Sequence, residues 1–138
     1  MVAYLTFVFS KNMTVVLLVS FVIVNLYMHS GMIIEGAGGL LVPLNDKELI
    51  LDLIKKLDVQ VIVVSQNYLG SINHTLLTIN TLVQHQIKIK GIIFNGDENT
   101  ESENYILKYS KIDCLGHIPT FKNLDQTSII EAGKAINM

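Results

Sequence analysis

Arginine is absent from this 138-residue chain, and its basic side chains are all lysine. The lysines are scattered and the net charge is −2, so the sequence has no electrostatic footprint for nucleic acid. A single cysteine, Cys114, excludes an internal disulfide framework and fits a reducing compartment. Alone, it reads as a small apolar residue before it reads as a nucleophile. Charged residues are also scarce, at 16% against 50% apolar, which excludes a disordered chain and leaves enough apolar surface for a sizeable core. The length fits one domain, or a piece of a larger one.

What is present is organised around Met32 to Leu44, MIIEGAGGLLVPL. A short apolar run climbs to one acid, Glu35, and three glycines follow within four residues: Gly36, Gly38 and Gly39. In an α/β protein such a strand end sits at the carboxyl edge of the sheet, where open sheets bind ligands. Glycines there let the backbone approach a ligand closely. Two readings fit: an acid facing metal or phosphate, or a tight turn after a buried strand.

Met1 to Met28 differs from the rest, with two apolar runs separated by Ser10-Lys11-Asn12. The second, Met13 to Met28, is shorter than the about 20 residues that a bilayer crossing prefers. A signal peptide fits poorly, because the charge sits at Lys11 and no small-x-small cleavage pattern precedes Gly31. Three readings stand: a membrane anchor, buried strands of a sheet, or sequence foreign to the domain. Richness in Val, Ile and Phe favours strand if the run folds, with Val15 to Val24 on or in the sheet.

From Asn45 the pattern is regular. Asn45 with Glu48 resembles a capping box, and Leu49, Ile50, Leu53, Ile54 and Leu57 follow at helical spacing. Val59 to Val64 is an almost unbroken apolar run, the mark of a strand buried on both faces of a parallel sheet. A turn over Gln66 to Asn73 leads to a helix with Leu76, Leu77, Ile79, Leu82 and Val83 as its apolar positions. Ile89 to Phe94 makes a strand ending at Asn95-Gly96, Glu101 to Tyr109 a helix, Ile112 to Ile118 a strand closed by Pro119, and Ser128 to Ile136 a final helix. This alternation predicts an α/β fold with a parallel, doubly wound sheet.

Loops at Glu35 to Gly39, Tyr68 to Asn73 and Asn95 to Asp97 then fall at strand carboxyl ends beside helix starts, which suit phosphates and carboxylates. Ser71 reads as an N-cap. His74 reads as a capping or packing residue, since no second His or Cys lies at ligand spacing. Asn95 carries donor and acceptor on one amide, which can read an adenine edge, although Asn-Gly is also an ordinary turn.

EGAGGLLVPLND, LGSINHTLLT, GIIFNG and LGHIP, in that order between Met32 and Phe121, resemble dethiobiotin synthetase of the biotin pathway. The resemblance implies a P-loop NTPase-like doubly wound fold, here incomplete at the N-terminus, and a cytoplasmic homodimer. It implies use of ATP, Mg²⁺ and CO₂ to close a ureido ring on 7,8-diaminononanoate through a carbamate that ATP phosphorylates. By the same resemblance Glu35 is the Mg²⁺ ligand, and Glu35, Gly36, Ala37 and Gly38 line the nucleotide phosphates. Asn95 and Gly96 read adenine, while Pro119, Thr120 and Phe121 border the base, with Gln126 loosely aligned to that loop. Leu69, Gly70, Ser71, Ile72 and Asn73 take the substrate carboxylate across the dimer interface, and Tyr105 joins that contact.

The chain also departs from the family. It has no G-x-x-x-x-G-K-[ST] loop, and its only lysine before Glu35 is Lys11, with no glycine nearby. The groups that neutralise the transferring phosphoryl are therefore absent, so no residue is assigned a catalytic role. The resulting division is an unaligned hydrophobic segment, 1–30, and a dethiobiotin synthetase-like part, 31–138. Two functions follow: part of an ATP-dependent cyclo-ligase, inactive as this chain, or a non-catalytic dimerising ligand-binding module, tethered to a membrane if Met13 to Met28 inserts.

Overall fold

The computed structural model describes residues 2–8 and 31–137. The strand or helix expected over Val15 to Val24, and the membrane-anchor reading of Met13 to Met28, fall outside those residues. Among the described residues no helix is long and apolar enough to cross a membrane.

Five strands, β1 (Val2–Val8), β2 (Gly31–Ala37), β3 (Gln60–Gln66), β4 (Ile89–Asn95) and β5 (Cys114–Ile118), form one sheet in the order β2-β1-β3-β4-β5. Every pairing is parallel. The helices are α1 (Ile50–Leu57), α2 (Ser71–Gln84), α3 (Thr100–Ser110) and α4 (Gln126–Lys134). The α/β, parallel-sheet expectation therefore holds. Part of the N-terminal run is itself a strand: β1 lies inside the sheet, with Val2 to Val8 paired to Gly31 to Ala37 and Tyr4 to Phe7 paired to Gln60 to Val63. From β1 the chain steps to β2 on one side, then crosses to β3 on the other. That reversal of winding is where an open sheet parts at its carboxyl edge to admit a ligand.

Strand β3 shows why its sequence reads as an unbroken apolar run. Val61 and Val63 face one layer, where Ile50, Leu51 and Ile54 of α1, Ile79 and Leu82 of α2 and Ile106 of α3 pack with Ile92 and Phe94. Ile62 and Val64 face the other, beside Ile93, Leu115, Ile118 and Ile136. Both faces are covered, so no alternation appears. Ile136 reaches that layer because the chain after α4 returns along β5, with an antiparallel bridge to Gly116 and an Asn137 N–H donated to the Leu115 carbonyl at 2.7 Å. Gly116 permits the approach. Its φ is +156°, and a Cβ there would lie 2.0 Å from the Ala135 carbonyl oxygen.

The start of α1 differs from the sequence expectation. Asn45 and Glu48 do interact, the Asn45 carboxamide oxygen accepting the Lys47 and Glu48 N–H groups at 2.9 and 3.0 Å. They close a loop turn instead of opening the helix. The backbone from Val42 to Ile50 is committed elsewhere, through the Pro43–Leu49 bridge and the Ile50 N–H to the Val42 carbonyl at 3.0 Å. Leu49 is consequently the N-cap, its N–H held by the Asp52 carboxylate at 2.9 Å. The buried positions of α1 are Ile50, Leu51 and Ile54, while Leu57 is exposed. In α2 the buried positions are Ser71, Thr75, Thr78, Ile79 and Leu82, with Leu77 and Val83 outside.

Candidate functional site

Parallel strands bring all their carboxyl ends to one edge, and the loops singled out in the sequence meet there. Strand β2 runs to Ala37, so Glu35 sits two residues inside its end, exposed, while Gly36 is buried on the opposite face. Gly38 and Gly39 follow with φ of +82° and +112°, turning the chain away from the sheet. Glu35 supplies one carboxylate near this strand end. That suits a Mg²⁺ whose remaining ligands are phosphate oxygens and water.

The β3–α2 loop begins at Asn67. The Ser71 N–H is donated to the Tyr68 carbonyl at 2.9 Å and the His74 N–H to Gly70 at 3.0 Å. Gly70 is the N-cap of α2, at φ +100°, and supplies no side-chain acceptor. The Ile72 and Asn73 amides accordingly have no backbone partner among the described residues. Free amides at a helix start attract carboxylates and phosphates. Leu69 is fully exposed at 102%. The Ser71 side chain is buried, so it does not serve as the expected cap. His74 packs in the first turn, its Nδ1 2.6 Å from the Tyr68 hydroxyl. Tyr105 lies exposed on α3 and stacks on Tyr109 at 6.1 Å between ring centroids.

The β4–α3 and β5–α4 loops come together. Asn95 is the last residue of β4, paired with Gln66 on one side and Ile118 on the other. The Gly96 N–H is donated to the Ile118 carbonyl at 2.8 Å, and His117 Nε2 contacts the Gly96 carbonyl at 2.9 Å. A Cβ at Gly96 would lie 3.6 Å from the Gln66 side chain and 3.8 Å from the Thr120 hydroxyl. Gly96 and Thr120 are thus neighbours at this edge, and the chain continues from Pro119 and Thr120, both exposed, into the half-buried Phe121. Gln126 opens α4 behind its N-cap Asp125. Cys114 is exposed on β5 and not buried as its type suggested.

Sequence reasoning missed Gln66, Asn67, Glu103 and His117. Asn67 donates from its amide nitrogen to the Asp97 carbonyl at 3.0 Å and to Glu103 Oε1 at 2.6 Å. Glu103, only 9% exposed, also accepts the Asn99 N–H at 3.0 Å. The oxygen of the Asn67 amide is buried with no donor, a cost of about 1–3 kcal/mol that the other bonds must offset. Glu98, Glu103 and His117 bring potential ligand atoms within 4.8 Å of one another. Glu103 Oε1 is already engaged in closing the first turn of α3, and His117 Nε2 meets Gly96. The sequence carried only part of this signal: Asn99 is a capping residue type and accepts the Ser102 N–H at 3.0 Å, whereas Glu103 lies one residue past the capping-box position.

A doubly wound parallel sheet whose loops present helix amides, an amide-bearing strand end and the Glu35 carboxylate at the carboxyl edge defines an α/β domain of the P-loop NTPase-like class. The chain belongs to the AAA domain family, whose model matches residues 7–128. It is 56% identical over 87 residues to the ATP-dependent dethiobiotin synthetase BioD of Cytophaga hutchinsonii, which covers 63% of this chain and 42% of that protein. It is 51% identical over 100 residues to the same enzyme of Christiangramia forsetii, covering 72% and 48%. To that of Lawsonia intracellularis it is 42% identical over 100 residues, covering 72% and 49%. The chain thus spans less than half the length of these curated relatives.

Proposed function

We propose that the chain is a dethiobiotin synthetase-like domain carrying the adenine side and the substrate-carboxylate side of that enzyme's site. Asn95 and Gly96 read the base, bordered by Pro119, Thr120 and Phe121. Glu35 ligates Mg²⁺, and Glu35 to Gly38 face the phosphates of ATP. The Leu69 to Asn73 loop holds the carboxylate of 7,8-diaminononanoate in a homodimer, with Tyr105 beside it, in the cytoplasm. The observation that supports this reading is the approach of Gly96, which follows Asn95 at the end of β4, to Thr120 at the carboxyl edge, in a chain up to 56% identical to ATP-dependent relatives.

Mg²⁺ supplies charge neutralisation of phosphate oxygens when bound. The chain's own residues orient the base and the carboxylate. They do not surround the γ-phosphoryl with positive charge, because the sequence has no glycine-rich lysine loop and no arginine. In this reaction class an arginine finger alone is worth about 10³–10⁵ in rate. The chain therefore binds its ligands and does not turn them over, which is also how a non-catalytic module would behave.

The test is an assay of the purified chain with 7,8-diaminononanoate, bicarbonate and Mg-ATP, beside Glu35→Ala. Equal, background dethiobiotin formation in both is expected. Turnover by the unaltered chain above that control contradicts the reading.

A further inference from the structure

Two loops at the carboxyl edge, distant in sequence, are joined by one side chain. Asn67, the first residue past β3, sends its amide N–H groups across the edge, to the Asp97 carbonyl at 3.0 Å and to Glu103 Oε1 at 2.6 Å. The second partner lies 36 residues away. Glu103 Oε1 also takes the Asn99 N–H at 3.0 Å, and the carboxylate is almost buried, so water competes little for it. Hydrogen bonds to an ionised carboxylate are the stronger kind. The orientation of the amide is fixed, because a flipped Asn67 would set its oxygen against two acceptors. An apolar residue would spare the buried, unpartnered Asn67 oxygen. What asparagine adds is the bridge.

We propose that Asn67 and Glu103 are positioning residues, a clamp that fixes the base-reading loop, Asn95 to Asp97, against the carboxylate-holding loop, Leu69 to Asn73. The proposal rests on the functional reading above. Because that reading has Leu69 to Asn73 serve the neighbouring subunit, the clamp joins the base loop of one site to the substrate loop of the next. A nucleotide that orders Asn95 to Asp97 then orders Leu69 to Asn73 as well. The second ligand meets a loop already fixed, and the two ligands bind with positive coupling.

Hydrogen exchange of the full chain tests the clamp without any ligand, through the Ser71 and Gly96 amides, which bond to Tyr68 and Ile118. In Asn67→Ala both are expected to exchange at least tenfold faster while the amides inside β3 and β4 keep their rates. In Glu103→Gln, whose side-chain oxygen still accepts both N–H groups, Ser71 and Gly96 stay slow. Wild-type rates at Ser71 and Gly96 in Asn67→Ala overturn the clamp, and so does equal acceleration of the strand amides, which marks a merely structural role. A second arm compares ATP affinity with and without 7,8-diaminononanoate. The ratio exceeds one in the unaltered chain and falls to one in Asn67→Ala. A ratio unchanged by the substitution overturns the coupling. An unaltered chain that binds neither ligand overturns the functional reading, while the exchange arm still decides the clamp.

Discussion

Ser65 and Thr75 place two hydroxyls 2.7 Å apart at a point where the residues are 1% and 2% exposed. Each satisfies the other, and together they fix the height of α2 against the carboxyl end of β3. Thr75→Val keeps the shape and leaves the Ser65 hydroxyl without its partner, so a loss of about 1–3 kcal/mol is expected in urea unfolding. Thr75→Ser should recover most of it. A Thr75→Val chain as stable as the unaltered one would remove this role. The pair was not legible in the sequence, where no local pattern sets Ser65 or Thr75 apart. The positions of Glu35 and Asn95, at or near a strand end beside a glycine, were legible from local pattern. Asn67 and Glu103 were not, since what joins them is a contact across 36 residues and no local pattern encodes it.

At the scale of elements, the helices existed where the apolar period put them, but their faces were partly misread. The leucine-rich side of α2 was expected to be the core face. Ile79 and Leu82 are buried as expected, but Ser71, Thr75 and Thr78 are buried with them, while Leu77 and Val83 are left 56% and 58% exposed. Hydroxyls can line a buried face when a strand residue answers them, and period alone cannot see that answer. Helix α4 carries a reciprocal cap held by the side chains of both partners. Asp125 accepts the Ser128 N–H at 2.9 Å and the Ser128 hydroxyl meets the Asp125 N–H at 2.9 Å. The Ser128 backbone N–H holds the Asp125 carboxyl below its usual 3.8. A lowered folded value means the ionised form favours the fold. The contribution is full above 3.8 and is lost as pH falls through the lowered value. Protection of the Ser128 amide should fall across that window, and Asp125→Asn, which keeps a capping oxygen, should flatten the dependence. Identical pH profiles for the two chains would contradict the assignment.

The whole molecule shows why the N-terminal run resisted reading. Short apolar stretches without turn residues fit helix or strand equally, and three readings stayed open for Met1 to Met28. Sheet pairing resolves Val2 to Val8, because β2 and β3 need a strand between them to complete their ladders. The carboxyl edge of that sheet then gathers the Glu35, Leu69 and Asn95 loops as parallel topology requires. If this edge holds an adenine nucleotide as proposed, Asn95 is the side chain that binds the base. Titration of the purified chain with Mg-ATP by calorimetry, beside an Asn95→Ala variant of equal thermal stability, tests it most directly. Saturable binding to the unaltered chain is expected, with an affinity about tenfold weaker in the variant, the loss of about one base-edge hydrogen bond. Equal affinity in the two chains, or no saturable binding to either, would contradict it.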